Sequence, residues 1–391
     1  MSEPSDTPCE YLRATIGITG AGGFIGSYLL RRLSHDSHLR MTTCARECFS
    51  EPKRLREFVA RCDTIVHLAA MDRGHERTIY DTNVGLVDQL IAAFEATGST
   101  PRVVYASSTE RDRATAYGSA KKECERRLRE WAESGGGRLT ILVIPEVFGP
   151  GCRPYHNSIV ATFCDQLAHE QEPVVIDEHD LTLVSIHELI EAMCQMVADE
   201  RGGVREARVP AAARLRVTQL LEKLQHFRAC YFEDQIVPNL SDPFDANLYT
   251  TFLSHVEIKN HLYRPKMYID PRGELCEIMK MVGGGQMFFS TTRPGIVRGN
   301  HYHTRKIEWL CVVRGDAVIR LRRVGDARWR EFRVSGREPQ FITIPPLYMH
   351  QIENVGDEDM LTMFWCNEIF ASGNADTFHD EPPGDAASRA A

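Results

Sequence analysis

Thr19-Gly20-Ala21-Gly22-Gly23-Phe24-Ile25-Gly26 is the stretch that decides the fold. It follows the apolar run Ala14–Thr19, which reads as a strand, and it opens Phe24–Leu33, which reads as a helix. Glycines at these positions are what a strand–turn–helix needs to hold a pyrophosphate. Gly20 allows the tight turn, Gly23 lets the backbone approach the phosphates, and Gly26 lets the helix pack on the strand. Phe24 and Ile25 complete the turn, where free helix amides and the helix dipole favour an anion. Working outward, strands are expected at Met41–Cys44, Thr64–Leu68, Arg102–Ser107 and Leu139–Ile144, with helices at Asp81–Ala96 and Tyr117–Ser134 between them. This alternation predicts βαβ units with right-handed crossovers, hence an α/β Rossmann-like doubly wound parallel sheet.

A dinucleotide in such a turn meets the end of the second strand with its ribose. Cys44-Ala45-Arg46-Glu47 stands there, and Arg46 suits a 2′-phosphate, so NADP(H) is expected, with NAD left open by Glu47. His67-Leu68-Ala69-Ala70, at the end of the third strand, would bring Ala69 to the adenine and ribose side, and a plain core role fits its apolar members equally well. Downstream, Tyr117-Gly118-Ser119-Ala120-Lys121 sets Tyr117 and Lys121 one helical turn apart on one face. Hydride reduction of a ketone leaves an alkoxide that needs a proton. A phenol gives one readily when a cation beside it favours its ionised form and a hydroxyl orients the carbonyl. Ser107 and Ser108 can supply that hydroxyl, and Ser108, farther beyond the strand, is the better candidate.

After about residue 260 the texture changes to strand-like segments separated by turns: Met287–Thr291, Trp309–Val313, Ala317–Arg322, Gln340–Ile344 and Met360–Trp365. Within them lie Gly295, His301, His303, Glu308 and Gly315, then Pro345, His350 and Asn354. In an extended strand His301 and His303 share one face. With Glu308 from the next strand and His350 from a distant one they make a site of three imidazoles and a carboxylate, suited to a divalent metal such as Zn, Fe, Mn or Ni.

With 391 residues the chain has room for two domains, and its 43% hydrophobic content is enough for two cores. A net charge of −8 argues against nucleic acid as a partner. No apolar run is long enough for a membrane span, and the acidic start Met1-Ser-Glu-Pro-Ser-Asp is unlike a signal peptide. The twelve cysteines form no C-x-x-C pair and read as reduced thiols, which points to the cytoplasm.

The glycine turn, Ser108/Tyr117/Lys121 and Pro145–Gly149 resemble the extended short-chain dehydrogenase/reductases, which act largely on nucleotide sugars. By that resemblance Asn83 corresponds to the asparagine of the family's N-V helix, and Arg153 and Asn157 lie in the segment that meets the substrate's nucleotide. The Ser108–Tyr117 span is much shorter than is usual there, so the wall of the sugar pocket differs. The histidine pattern resembles both motifs of the cupins, an all-β jelly roll, with Leu347 in place of the second motif's glycine. The implied organisation is a disordered lead 1–13, a reductase domain 14–250, a linker 251–261, a cupin domain 262–380 and a disordered tail 381–391.

Over nearly its full length the chain resembles the CapF-type enzymes of capsular polysaccharide synthesis. Asn157–Cys164, Asn247–Leu253, Asp270–Gly273, Pro294–His301, Ile352–Gly356 and Asn367-Glu368 carry the likeness. It implies a UDP-linked 2-acetamido-2,6-dideoxy-4-hexulose as substrate, C3 epimerisation in a zinc cupin, and reduction of the C4 ketone with NADPH toward a 6-deoxy-talose sugar on the fucosamine route. A homodimer is expected. Where the family often has a further histidine after His303, this chain has Thr304. Two other functions compete: a reductase whose cupin is only structural, and a non-enzymatic nucleotide-sugar-binding scaffold.

Overall fold

Six strands, β1 (Ala14–Thr19), β2 (Leu39–Cys44), β3 (Thr64–His67), β4 (Arg102–Ser108), β5 (Arg138–Ile144) and β6 (Val204–Arg208), lie parallel in the order β2-β1-β3-β4-β5-β6. The computed structural model describes residues 14–135, 137–199, 201–264, 267–270, 273–276, 280–282, 285–368 and 375–380. The strand order reverses between β1 and β3, and a ligand in such a sheet binds outside the carboxyl ends of the strands at that reversal. The glycine turn after β1 and the His67–Ala70 segment after β3 both lie there. β3 stops at His67, one residue before the sequence pattern does, because the amides of Leu68 and Ala69 turn to the Thr19 hydroxyl, at 3.1 and 3.2 Å.

Strand residues alternate between the two faces of this sheet, both of which are covered. Val103, Tyr105, Ile141 and Val143 pack with Leu90, Phe94, Leu128 and Trp131 on one side. On the other, Ile16, Ile18, Val104 and Leu142 pack with Leu29, Ile186, Leu189 and Met193. The helix expected from Asp81 runs Glu76–Thr97, since its polar first turn hides the apolar period. Phe24–Leu33 and Ala116–Gly135 fall where the sequence places them, to within a residue. This unit extends to Val147 and resumes over Thr182–Ala212; a second comprises Phe148–Leu181 and the chain from Ala213 onward.

In the second unit, helices Ile159–Ala168, Val217–Ala229 and Pro243–Leu253 precede an all-antiparallel sandwich. The 251–261 stretch, read from sequence as a linker, holds the last turn of Pro243–Leu253 and a 3-10 turn, Ile258–His261. Phe252, Leu253 and His261 are fully buried, and His261 Nδ1 lies 2.6 Å from the Tyr231 hydroxyl. The apolar Leu248, Tyr249 and Phe252 recur at helical spacing and are drawn into the core.

One sheet of the sandwich orders β7 (Leu262–Tyr263), β13 (Phe341–Ile344), β10 (Glu308–Arg314), β15 (Met360–Cys366) and β8 (Gln286–Thr292). The other orders β9 (Val297–His301), β14 (Tyr348–Asn354), β11 (Asp316–Arg323) and β12 (Arg330–Ser335). Leu310, Val312, Ile319, Leu321, Ile344 and Ile352 fill the space between them. The chain is thus a Rossmann-like α/β sheet followed by antiparallel β-sheets in cupin style. No helix among the described residues is long and apolar enough to cross a membrane, and among them ten cysteines, Cys44 to Cys230 with Cys311 and Cys366, are free thiols.

Candidate functional site

The glycine turn takes the backbone its residues were chosen for. Gly20 has φ +70°, and a Cβ there would meet the Ala69 nitrogen at 2.8 Å. At Gly26 a Cβ would stand 2.2 Å from the Gly20 carbonyl, so any side chain would push the helix off the turn. Beneath the turn, Thr19 Oγ1 lies 2.8 Å from His67 Nδ1. Burial pushes the His67 imidazole down to about 3, and the nearby Lys121 ammonium works in the same direction. His67 is therefore a neutral strut that ties β1 to β3 below the turn. Arg46, exposed, begins the short helix Arg46–Ser50 just past the end of β2. Asn83 is a strut as well: its amide accepts from Met71 N at 2.9 Å and donates to Met71 O at 2.6 Å, pinning the loop after β3.

Ser108 ends β4, and Tyr117 and Lys121 stand in the first turns of helix Ala116–Gly135. Lys121 is buried; its ammonium donates to Ala106 O at 2.7 Å and lies 5.3 Å from the Tyr117 ring centroid and 5.0 Å from that of Tyr105. Ser107 is spent, since its hydroxyl donates to the buried Glu125 carboxylate. Ser108 is half-buried and accepts from Glu110 N at 3.1 Å. The short span that follows is a 3-10 turn, Thr109–Asp112, anchored by Arg111, which pairs with Glu125 and with Glu206, each at 2.8 Å. Sequence reading missed this triad because its members lie on three different elements.

In the sandwich, a bulge decides which way His301 faces. Gly299 pairs with Gln351 but His301 pairs with His350, so Asn300, at φ +57°, is the extra residue. Directly opposed residues of an antiparallel pair share a face, and the bulge thereby turns His301 toward His350. Their ring centroids are 4.5 Å apart, with His303 at 5.0 and 5.5 Å from them, and the three imidazoles offer ligand atoms within 4.8 Å of one another. Glu308, first residue of β10, reaches His303 Nε2 and His350 Nε2 at 3.6 Å each. That spacing is too long for a hydrogen bond but is close to the ~3.4 Å between ligands that share an ion through bonds of ~2.1 Å.

The protonation pattern agrees with this geometry. Burial pushes His350 down to about 3 and lowers His301. At His303 burial, the largest single effect, acts the same way, but the Glu308 carboxylate and Asp376 together outweigh it and raise the imidazole. Burial raises Glu308, yet the three imidazoles prevail and hold its carboxyl down at about 2. His303 Nε2 and His350 Nδ1 are buried without a hydrogen-bond partner. Of the two, His303 Nε2 faces the Glu308 carboxylate, and a nitrogen so placed fits a divalent cation.

The four groups form part of the lining of a cavity of about 290 Å³, with Ser290, Arg298, Lys306 and Gln351 among its other walls. The turn where Leu347 replaces the glycine of the cupin motif keeps a left-handed backbone, φ +63°, and Leu347 N donates to His303 O at 2.7 Å. Arg153 and Asn157 are exposed; Asn157 has φ +51° and directly precedes Ser158, which caps helix Ile159–Ala168.

Comparison with known proteins follows the same division. Residues 16–209 match the NAD dependent epimerase/dehydratase family and residues 268–378 the polysaccharide biosynthesis C-terminal domain. A UDP-glucose 4-epimerase from Thermotoga maritima, solved with UDP-glucose, shares the fold over 55% of this chain and 82% of its own (TM-score 0.50, 19% identity). The class is that of an epimerase/dehydratase-type domain joined to a polysaccharide biosynthesis C-terminal domain. The chain is 30% identical over 364 residues to the UDP-2-acetamido-2,6-beta-L-arabino-hexul-4-ose reductase of Pseudomonas aeruginosa, covering 92% of this chain and 97% of that one. Capsular polysaccharide assembling protein CapF from Staphylococcus aureus matches at 32% identity and TM-score 0.61, over 94% of this chain and 99% of that one. The chain belongs to the CapF-type family.

Proposed function

We propose that this chain is a bifunctional enzyme acting on a UDP-linked 2-acetamido-2,6-dideoxy-4-hexulose: the sandwich inverts C3 and the parallel-sheet unit reduces the C4 ketone with NADPH. The observation that carries the reading is the cavity in which His301, His303, Glu308 and His350 converge, in a chain similar end to end to a 4-hexulose reductase.

In the reductase half, NADPH supplies the hydride. Tyr117 gives its phenolic proton to the oxygen at C4, Ser108 orients that oxygen, and Lys121, held by Ala106 O, keeps positive charge beside the phenol. Arg46 is assigned to the 2′-phosphate, which favours NADPH over NADH. Arg153 and Asn157 are assigned to the UDP moiety.

In the other half, the ligand set would hold a divalent cation, zinc by preference, which supplies Lewis acidity beside the keto group and so acidifies C3–H. Among groups able to move a proton there, Lys306 lines the cavity and donates to Ala375 O at 2.6 Å. Tyr348 instead packs against His261, ring centroids 6.1 Å apart, within the core. Lys306 is the better-placed proton carrier.

The test is turnover of a UDP-4-keto-6-deoxy-HexNAc with NADPH in D₂O, the product read by NMR. Deuterium at C3 and a reduced C4 are expected together. Tyr117→Phe should slow hydride transfer by about 10²–10⁴-fold and leave C3 exchange running. His350→Ala should abolish bound metal and C3 exchange while NADPH oxidation persists. NADPH oxidation by the wild type with no deuterium gained at C3 would favour the alternative of a purely structural cupin, and no NADPH consumption with any such sugar would refute the central assignment.

A further inference from the structure

The residues after His303 and a segment far downstream are joined by backbone and side-chain hydrogen bonds. Among the described residues, Ala375–Asp380 runs alongside Asn300–Lys306. Tyr302 and Phe378 exchange both backbone hydrogen bonds, at 2.9 and 3.0 Å, and His379 Nδ1 lies 2.8 Å from Asn300 O. At the centre is Asp376, whose side chain is completely shielded from solvent. Its carboxylate accepts from Thr304 Oγ1 at 2.6 Å and from the amides of Thr304, Arg305 and Lys306 at 3.2, 3.0 and 3.1 Å. A carboxylate gathering three amides and a hydroxyl fixes the loop that carries them.

The same residue reaches the ligand itself. His303 Nδ1 lies 2.6 Å from the Asp376 carbonyl. A carbonyl can only accept, so the ring proton sits on Nδ1 and the lone pair on Nε2, the buried nitrogen that faces Glu308. The neighbouring carbonyl, Ala375 O, holds the Lys306 ammonium, and Thr377 lines the cavity. One short segment thus orients a ligand, its loop and the cavity's lysine.

We propose that Asp376 is a positioning residue of the metal site, and that docking of Ala375–Asp380 and binding of the cation are a single coupled equilibrium. The inference rests on the metal reading above. Coupling is reciprocal: whatever the docked segment adds to affinity, the bound ion adds to docking.

The experiment uses the full chain as wild type, Asp376→Asn and Thr304→Val. Zn²⁺ affinity is measured by competition with a chromophoric chelator, the ligand field by visible absorption of the Co²⁺ form, and docking by hydrogen exchange of the 304–306 amides. Asparagine tolerates the left-handed backbone at 376 (φ +45°), so Asp376→Asn removes the charge and not the turn.

Loss of an outer-shell partner predicts about 10–100-fold weaker Zn²⁺ binding in Asp376→Asn, with a changed Co²⁺ spectrum. Thr304→Val, which loses one hydrogen bond, should weaken it by about three- to tenfold. In wild type, Zn²⁺ should slow exchange at 304–306. A folded Asp376→Asn with wild-type Zn²⁺ affinity and Co²⁺ spectrum would overturn the proposal. Should that variant fail to fold, unchanged affinity and exchange in Thr304→Val would overturn it equally. A wild-type chain that binds neither Zn²⁺ nor Co²⁺ would sink the metal reading itself, a separate result.

Discussion

In the parallel-sheet unit the candidate catalytic groups are close neighbours in the chain. Tyr117 and Lys121 sit one turn apart on one helix, and Ser108 ends the strand just before it. In the sandwich, His301 is set by a bulge, His350 by the register of β9 on β14, Glu308 by the opposite sheet, and His303 by a carbonyl 73 residues away. The first site inherits its geometry from a helix that any stable version of the fold contains. The second exists only when several independent pairings are all correct. A reductase site should therefore survive distant damage that abolishes metal binding, while the metal site answers to changes that touch no ligand.

The largest test of that contrast is Arg111→Met. It removes the cation between Glu125 and Glu206 and leaves Glu125, still bonded by Ser107, as a buried carboxylate stripped of its Arg111 counter-charge. Both partners of the Arg111–Glu125 pair are about nine-tenths buried, so the cost should be about 3–5 kcal/mol. Slowed NADPH turnover and faster hydrogen exchange in helix Ala116–Gly135, with unchanged Zn²⁺ affinity, would confirm that the two sites fail separately. Lost Zn²⁺ affinity would break the contrast.

Acid should act on both units at once. His67 in the first and His261 in the second are each pushed down to about 3 by burial, from 6.5. Between about 3 and 6.5 the unfolded chain binds these protons and the folded one does not, so stability falls as pH falls through that window. Above it the two histidines contribute no slope. Replacing either with glutamine should flatten the denaturation-midpoint curve below pH 6.5 by one proton's worth. A curve unchanged in both variants would mean these rings are protonated in the fold.

The smallest effect is expected at Leu347. Its left-handed backbone costs about 1–2 kcal/mol in a non-glycine residue, which offsets what the half-buried side chain gains. Leu347→Gly should thus change stability by less than about 1 kcal/mol, against about 2–5 kcal/mol for Leu310→Ala in the core. A large loss on Leu347→Gly would show that the side chain, and not the turn, holds the loop.

How far each region could be read from the sequence follows the same division. The glycine turn, the Tyr117–Lys121 spacing and helix Phe24–Leu33 were legible because a turn and a helix are decided within a few residues. The preference for Ser108 was argued from strand length alone; Ser107's bond to Glu125 gives it a second reason. His301, His303, Glu308 and His350 were legible only through a motif, since the Asn300 bulge leaves no local mark. Asp376 and Arg111 carried no signal at all: an acid near the end of a chain and an arginine in a polar loop look like solvated surface until their partners are placed. The 251–261 stretch, expected as a linker, instead begins in the core, where Phe252 and Leu253 continue the apolar spacing of Leu248 and Tyr249.

The 73 residues between His303 and the carbonyl that orients it also set an order of events during synthesis. A ribosome extends the chain from its beginning, and early units fold as they emerge. The six-stranded sheet is complete once Arg208 has left the exit tunnel. The proposed cation centre must wait for Asp376, after every described strand of the sandwich has been made. Metal loading would on this account be a finishing step, performed on a polypeptide whose parallel-sheet unit has already taken shape.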